Sequence, residues 1–223
     1  YHYRPEDISA VLDALYAVEG DDPLAGRLSS QVVVSGHSFG GYTALGLSGA
    51  RYAIDDIAPQ CADGTDTSEF CSEMDDAAIR RFRAGLQDDR IDAAIAMAAG
   101  DYRLFGPGLA DVNIPVLHFT SALDERTTRE QDGDPIWRAL DGPDDLRIDF
   151  STGGHHTFAD TCALGLELGD GCGPGFVPAD VAQIAITAYA LAFARLHALE
   201  DDAMVEILAS EPPLHDDITI TTR

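Results

Sequence analysis

Apolar and polar positions alternate along this chain in blocks that read as helix, strand, helix, strand. In residues 3–20, Ile8, Val11, Leu12, Leu15 and Val18 recur at helical spacing, after Pro5, Glu6 and Asp7, which suit a first turn. Val32-Val33-Val34 is a continuous β-branched run, the mark of a buried strand, and it ends in Gly36-His37-Ser38-Phe39-Gly40-Gly41. Small residues to Ala50 then predict a helix. Residues 75–86 predict another helix. Ile91–Ala99 and Ile114–Thr120 predict buried strands, and Leu146–Phe150 a short one. A last helix is expected over Pro178–Leu199, with a short helix or loop at Pro135–Leu140.

Strands alternating with helices imply an α/β fold with a mostly parallel sheet covered by helices on both faces. Neither a repeat nor a linker divides the chain, so residues 1–223 are expected to form one domain. Residues 51–76 read as a long polar insertion, and residues 100–111 as a loop. Residues 211–223 read as a polar, frayed tail.

Composition narrows the function classes. The formal charge is −25, and all 14 basic side chains are arginine. So acidic a surface argues against nucleic acid or anionic membranes as partners. It allows either plain solubility or adaptation to high salt. No run approaches the roughly 18 apolar residues of a membrane span. The Asp-Asp pairs offer oxygen ligands, but no twelve-residue calcium loop accompanies them.

The four cysteines, Cys61, Cys71, Cys162 and Cys172, form no C-x-x-C, which counts against zinc or thioredoxin-type chemistry. Of three possible connectivities, the local one, Cys61–Cys71 and Cys162–Cys172, closes two short polar or glycine-rich loops. It implies an oxidising compartment, secreted or periplasmic. The first disulfide would tie down the insertion at 51–76. No signal peptide is visible, and the chain begins with Tyr, as expected of an N-terminus that has been cut or trimmed.

The G-x-S-x-G spacing carries the chemistry. A serine at the tip of a strand-to-helix turn sits in a strained backbone, and Gly36 and Gly40 leave out side chains that would collide there. The amide of Phe39, at the helix N-terminus, faces a developing oxyanion. A serine hydroxyl needs a base, and the base needs a carboxylate. The chain supplies them in the order Ser38, Asp124, His155, each just past the end of a predicted strand. Asp101 is the runner-up acid, with Glu125 a further competitor. His156 adjoins His155. His37 reads as a structural residue of the turn, and His118 as a hydrogen-bonded core histidine.

GHSFGG, VLHFTSALD and GGHHTFAD together resemble the α/β-hydrolase superfamily, nearest its platelet-activating-factor acetylhydrolase-like and dienelactone-hydrolase-like esterases, with cutinase-like polyester hydrolases as near relatives. Arg4-Pro5-Glu6-Asp7-Ile8 resembles the helix that precedes the family's nucleophile strand. The H-x-x-F-x-D pattern at His155, Phe158 and Asp160 selects His155 over His156. The resemblance implies an ester hydrolase with Ser38 as nucleophile, Asp124 as orienting acid, His155 as base and Phe39 N–H as an oxyanion donor. It implies no organic cofactor, and a small or polymeric ester as substrate. Tyr102, Phe105 and Trp137 are candidates to line an acyl pocket. Polyester hydrolases carry a Trp where this chain reads Ala98-Ala99-Gly100-Asp101-Tyr102. The family also has strands, and a second oxyanion amide, upstream of the first helix seen here. An upstream segment completing the sheet is therefore an expected partner; without it, Val32–Val34 would lie at an exposed edge.

Overall fold

The computed structural model describes residues 1–162, 164–165 and 169–223. It shows an α/β fold around a five-stranded sheet in the order β1-β2-β3-β4-β5. The elements are α1 (Tyr3–Tyr16), β1 (Val32–His37), α2 (Phe39–Leu47), α3 (Ile54–Asp63), α4 (Asp76–Ala84), β2 (Ile91–Met97), α5 (Tyr102–Phe105), β3 (Val116–Ser121), α6 (Asp134–Ala139), β4 (Leu146–Phe150), α7 (Ala179–Leu199), α8 (Val205–Leu208) and β5 (Ile218–Thr222). The first four strands run parallel and β5 antiparallel.

The parallel strands are nearly continuous apolar runs because both of their faces are covered. Ala94, Ala96 and Val116 face one core with Tyr42 and Leu45 of α2. Ala93, Ile95, Leu117, Phe119 and Ile148 face the other, under Ile186, Tyr189 and Phe193 of α7. By length and composition α7 could cross a membrane, which no apolar run in the sequence suggested; its apolar character comes from eight alanines interleaved with leucine, isoleucine, valine and phenylalanine. It lays Ala182, Ala185, Ile186 and Tyr189 on the sheet.

Among the described residues β1 pairs only with β2, and no strand lies on its outer edge. Its valines are half-buried rather than buried, the consequence of that free edge. α1 stops at Tyr16, short of the expected Gly20. Its packed side is anchored by Pro5, while Ile8 and Val11 of the apolar stripe stay exposed.

Three expectations are corrected. Residues 51–76 are a helical element, not a loop. Ile54 and Ile57, one helical turn apart, and Phe70 are buried under a polar exterior, and a Cys61–Cys71 disulfide joins α3 to a 3-10 turn at Glu69–Glu73. The segment 100–111 is likewise wound into α5 and a 3-10 turn at Gly106–Asp111. The tail is not frayed. Its Ile-Thr-Ile-Thr alternation sets Ile218 opposite Phe150 and Ile220 opposite Ile148. Asp217 secures the entry by accepting the Thr152 hydroxyl at 2.9 Å. The helix at 75–86 is borne out with sharper ends: Asp75 caps the amides of Ala77 and Ala78, and Gly85, at φ 83°, ends it.

Because Ile218 is buried, Ile218→Ala is expected to cost about 2–5 kcal/mol in urea unfolding. Amides of residues 218–222 exchanging at the rate of an unstructured peptide would contradict the β5 pairing.

Candidate active site

Ser38 stands between β1 and α2 at φ 59° and ψ −120°, a backbone conformation that costs a non-glycine residue about 1–3 kcal/mol. Three contacts hold it. Its N–H donates to Met97 O at 2.8 Å, and its carbonyl accepts the N–H groups of Gly41 at 2.9 Å and Tyr42 at 3.2 Å. The strand and helix cross so closely that a Cβ on Gly36 would lie 2.2 Å from Gly40 O. Gly40 corrects the expectation: a Cβ there would meet nothing within 4 Å. It is the backbone of Gly40 that crowds Gly36. The second tight position is Gly41, whose Cβ would lie 2.8 Å from that of Ala99. Phe39 begins α2, where helix amides have no intrahelical carbonyl to bond.

His155 follows β4 in a 3-10 turn, His155–Phe158, and is 3% exposed. Its Nε2 lies 2.9 Å from Ser38 Oγ, and its Nδ1 lies 3.0 Å from Asp124 Oδ2. Two glycines bring the turn in. A Cβ on Gly153 would strike Phe150 and Ser121, and one on Gly154 would strike Gly171. His37 donates from Nε2 to the carbonyl of His155 at 2.8 Å, the structural part expected of it. The ring of His156 is 5.6 Å from that of His155, centroid to centroid, and no bond joins it to Asp124 among the described residues.

Asp124 occupies the turn after β3 and is 6% exposed. Oδ1 accepts the N–H groups of Arg126 and Thr127, both at 2.8 Å, and Oδ2 takes the Thr127 hydroxyl at 2.8 Å. Burial pushes the carboxyl up. The bonds from His155, Thr127 and Arg126 outweigh that, so it ends below its ordinary value and remains ionised at neutral pH. A hydroxyl bonded to an imidazole, itself bonded to a buried carboxylate, is the arrangement that general-base activation of a serine requires. Thr127 was missed in the sequence. Only the turn geometry brings it within 3.2 Å of His155 Nδ1 and 3.0 Å of Ala98 O.

Ser38 opens into a cleft of about 860 Å³. Phe39, Phe70 and Tyr102 supply apolar surface, with Glu69, Asp101 and Asp132 among them. Of the three aromatic candidates, Tyr102 alone lines it. Phe105 is fully buried in the core against Tyr42 and Tyr52. Trp137 packs at the edge of the same core, beneath the Arg223 guanidinium. Asp101, the runner-up acid, does not reach His155: it sits in the left-handed region at the end of β2 and faces the cleft. Glu125 likewise makes no bond to His155.

The cysteines pair locally, Cys61–Cys71 and Cys162–Cys172, as expected, and the two bridges are compatible with an oxidising compartment. Cys61, Asp66 and Cys71 cluster at metal-ligand distances, but both sulfurs are tied in the disulfide and offer no thiolate. His118 is buried as expected, but neither ring nitrogen has a partner among the described residues. Burial, with Arg147 nearby, pushes it down to about 3, so it stays neutral. Set against known proteins, the chain matches no family model and no curated protein.

Burial, followed by the charges of Asp132 and Glu69, pushes Asp101 up to about 6. A carboxyl raised on folding favours the folded state below its unfolded value, near 4, and loses that contribution as pH rises through 6. Asp101→Asn is therefore expected to stabilise the protein at pH 7 and to leave it unchanged near pH 4. Equal effects at both pH values in urea unfolding would contradict the assignment.

Proposed function

We propose that the protein is a serine hydrolase of carboxylic esters, working through an acyl-enzyme on an α/β-hydrolase fold. The observation that carries the reading is the hydrogen-bonded chain Ser38–His155–Asp124 at 2.9 and 3.0 Å, mounted on a strained strand-to-helix turn. Ser38 Oγ attacks the ester carbonyl while His155 Nε2 takes its proton. Asp124 holds the imidazole in the tautomer with Nδ1–H and stabilises the imidazolium. The Phe39 amide donates to the oxyanion. His155 then protonates the leaving alcohol, and in the second half-reaction it activates water to release the acid.

The mechanism calls for a second oxyanion donor. Among the described residues no strand pairs with the outer edge of β1, and the exposed Ile8 lies by Val34 there, which supports an upstream segment pairing at that edge and furnishing that amide. The disulfides support a secreted or periplasmic enzyme.

Ser38→Ala and His155→Ala are each expected to lower kcat on nitrophenyl esters by about 10⁴-fold or more. His156→Ala is expected to leave kcat unchanged. A fluorophosphonate should label the wild-type protein at Ser38 and spare Ser38→Ala. Absence of labelling in the folded wild-type protein would turn the reading toward a non-catalytic binding protein on the same fold.

A further inference from the structure

Acid and base reach Ser38 on separate loops, one after β3 and one after β4, and the Asp170 side chain accepts backbone amides from both. Asp170 lies in the turn Gly169-Asp170-Gly171, inside the ring closed by Cys162–Cys172. Its side chain is 8% exposed. Oδ1 accepts the N–H of His155 at 2.8 Å and the N–H of Glu125, next to Asp124, at 3.2 Å. Its own carbonyl accepts the N–H of His156 at 2.8 Å. Oδ2 is buried without a hydrogen bond among the described residues, and Arg126 Nε stands 3.9 Å from it.

The backbone fit around this carboxylate is close. A Cβ on Gly154 would lie 2.3 Å from Gly171 N, and one on Gly171 2.7 Å from Thr157 N. Asp170 itself is at φ 34°, where a residue other than glycine is strained. A strained, buried carboxylate thus accepts the amide of His155 and the amide next to Asp124. Its Oδ1 adds a shared acceptor to the backbone bond from Leu123 N–H to Gly153 O that already joins the two loops, and positioning at a site calls for such support.

We propose that Asp170 is the positioning residue that sets His155 against Asp124, held at its station by the Cys162–Cys172 ring. The proposal rests on the assignment of Ser38, Asp124 and His155 as the reacting groups. Asp170 touches no reacting atom. It acts through the backbone of His155, so its loss should displace the imidazole from the serine and leave the cleft that binds substrate as it was.

The test compares Asp170→Ala, Asp170→Asn and the wild-type protein on one nitrophenyl ester, together with the downfield proton resonance of the His155 Nδ1–H bond to Asp124. Asp170→Ala is expected to lower kcat by about 10- to 100-fold, the usual consequence of misplacement by about 1 Å, with KM nearly constant. Its downfield resonance should shift or broaden. Asp170→Asn keeps an oxygen for the His155 amide and is expected to restore both kcat and the resonance. Cys162→Ser with Cys172→Ser should lower kcat in the same direction. If Asp170→Ala does not fold, Asp170→Glu carries the test: it keeps the charge, displaces the acceptor by one methylene, and should lower kcat and move the resonance. Unchanged kcat and an unmoved resonance in a folded Ala or Glu variant overturn the proposal. So does a loss that Asp170→Asn fails to repair. Full turnover by Ser38→Ala would instead overturn the catalytic assignment, and the resonance alone would then decide whether Asp170 orders His155 against Asp124.

Discussion

Ser38 is held with φ at 59° because β1 and α2 cross backbone to backbone, and the rest of the site is arranged around that crossing. Gly36 has no room for a Cβ beside Gly40 O, and Gly41 none beside Ala99. Met97 O takes the Ser38 amide, so the strained residue is tied to the neighbouring strand as well as to its own helix. The hydroxyl is thereby lifted above the ends of the parallel strands. Groups that work with it can come only from turns leaving those same ends, which is where Asp124 and His155 sit.

Within those turns, polar groups satisfy one another. Asp124 accepts two amides and a hydroxyl in addition to His155, so one carboxylate shapes its own turn and orients the ring. Removing it would leave buried donors without partners, a cost of about 1–3 kcal/mol each. Asp170 works in the same way one layer further from the serine. The glycines of the histidine loop belong to this logic. Gly153 and Gly154 admit the close approach of Ser121 and Gly171, and so let the imidazole reach the serine.

A shifted pKa alone does not mark this site. His118, pushed down to about 3, and Asp145, pushed up to about 6, are both displaced by burial, and neither lines the cleft at Ser38. His118 is enclosed between β-strands, and Asp145 accepts the backbone amides of Val116 and Gly142. Asp101 is shifted by the same cause but faces the cleft at Ser38. Position relative to Ser38 separates these carboxylates and imidazoles; the size of the shift does not.

The sequence by itself determined the parallel core strands, the turn carrying Ser38, the order of the serine, carboxylate and imidazole, and the local pairing of the cysteines. These follow from spacing over a few residues: β-branched runs, glycines flanking a serine, short loops between sulfurs. Tertiary structure decided what depends on residues far apart in the chain. Ile54, Ile57 and Phe70 turned a polar stretch into a packed element because the core lies beneath them. Ile218 and Ile220 turned a polar tail into a strand because Phe150 and Ile148 stood ready to pair with them. Phe105 and Trp137 went to the core while Tyr102 stayed at the cleft, although all three are aromatic residues in polar surroundings. Thr127 and Asp170 became visible only once the turns after β3 and β4 were side by side. A side chain's partners are set by which turns the sheet brings together, and local spacing carries no record of that.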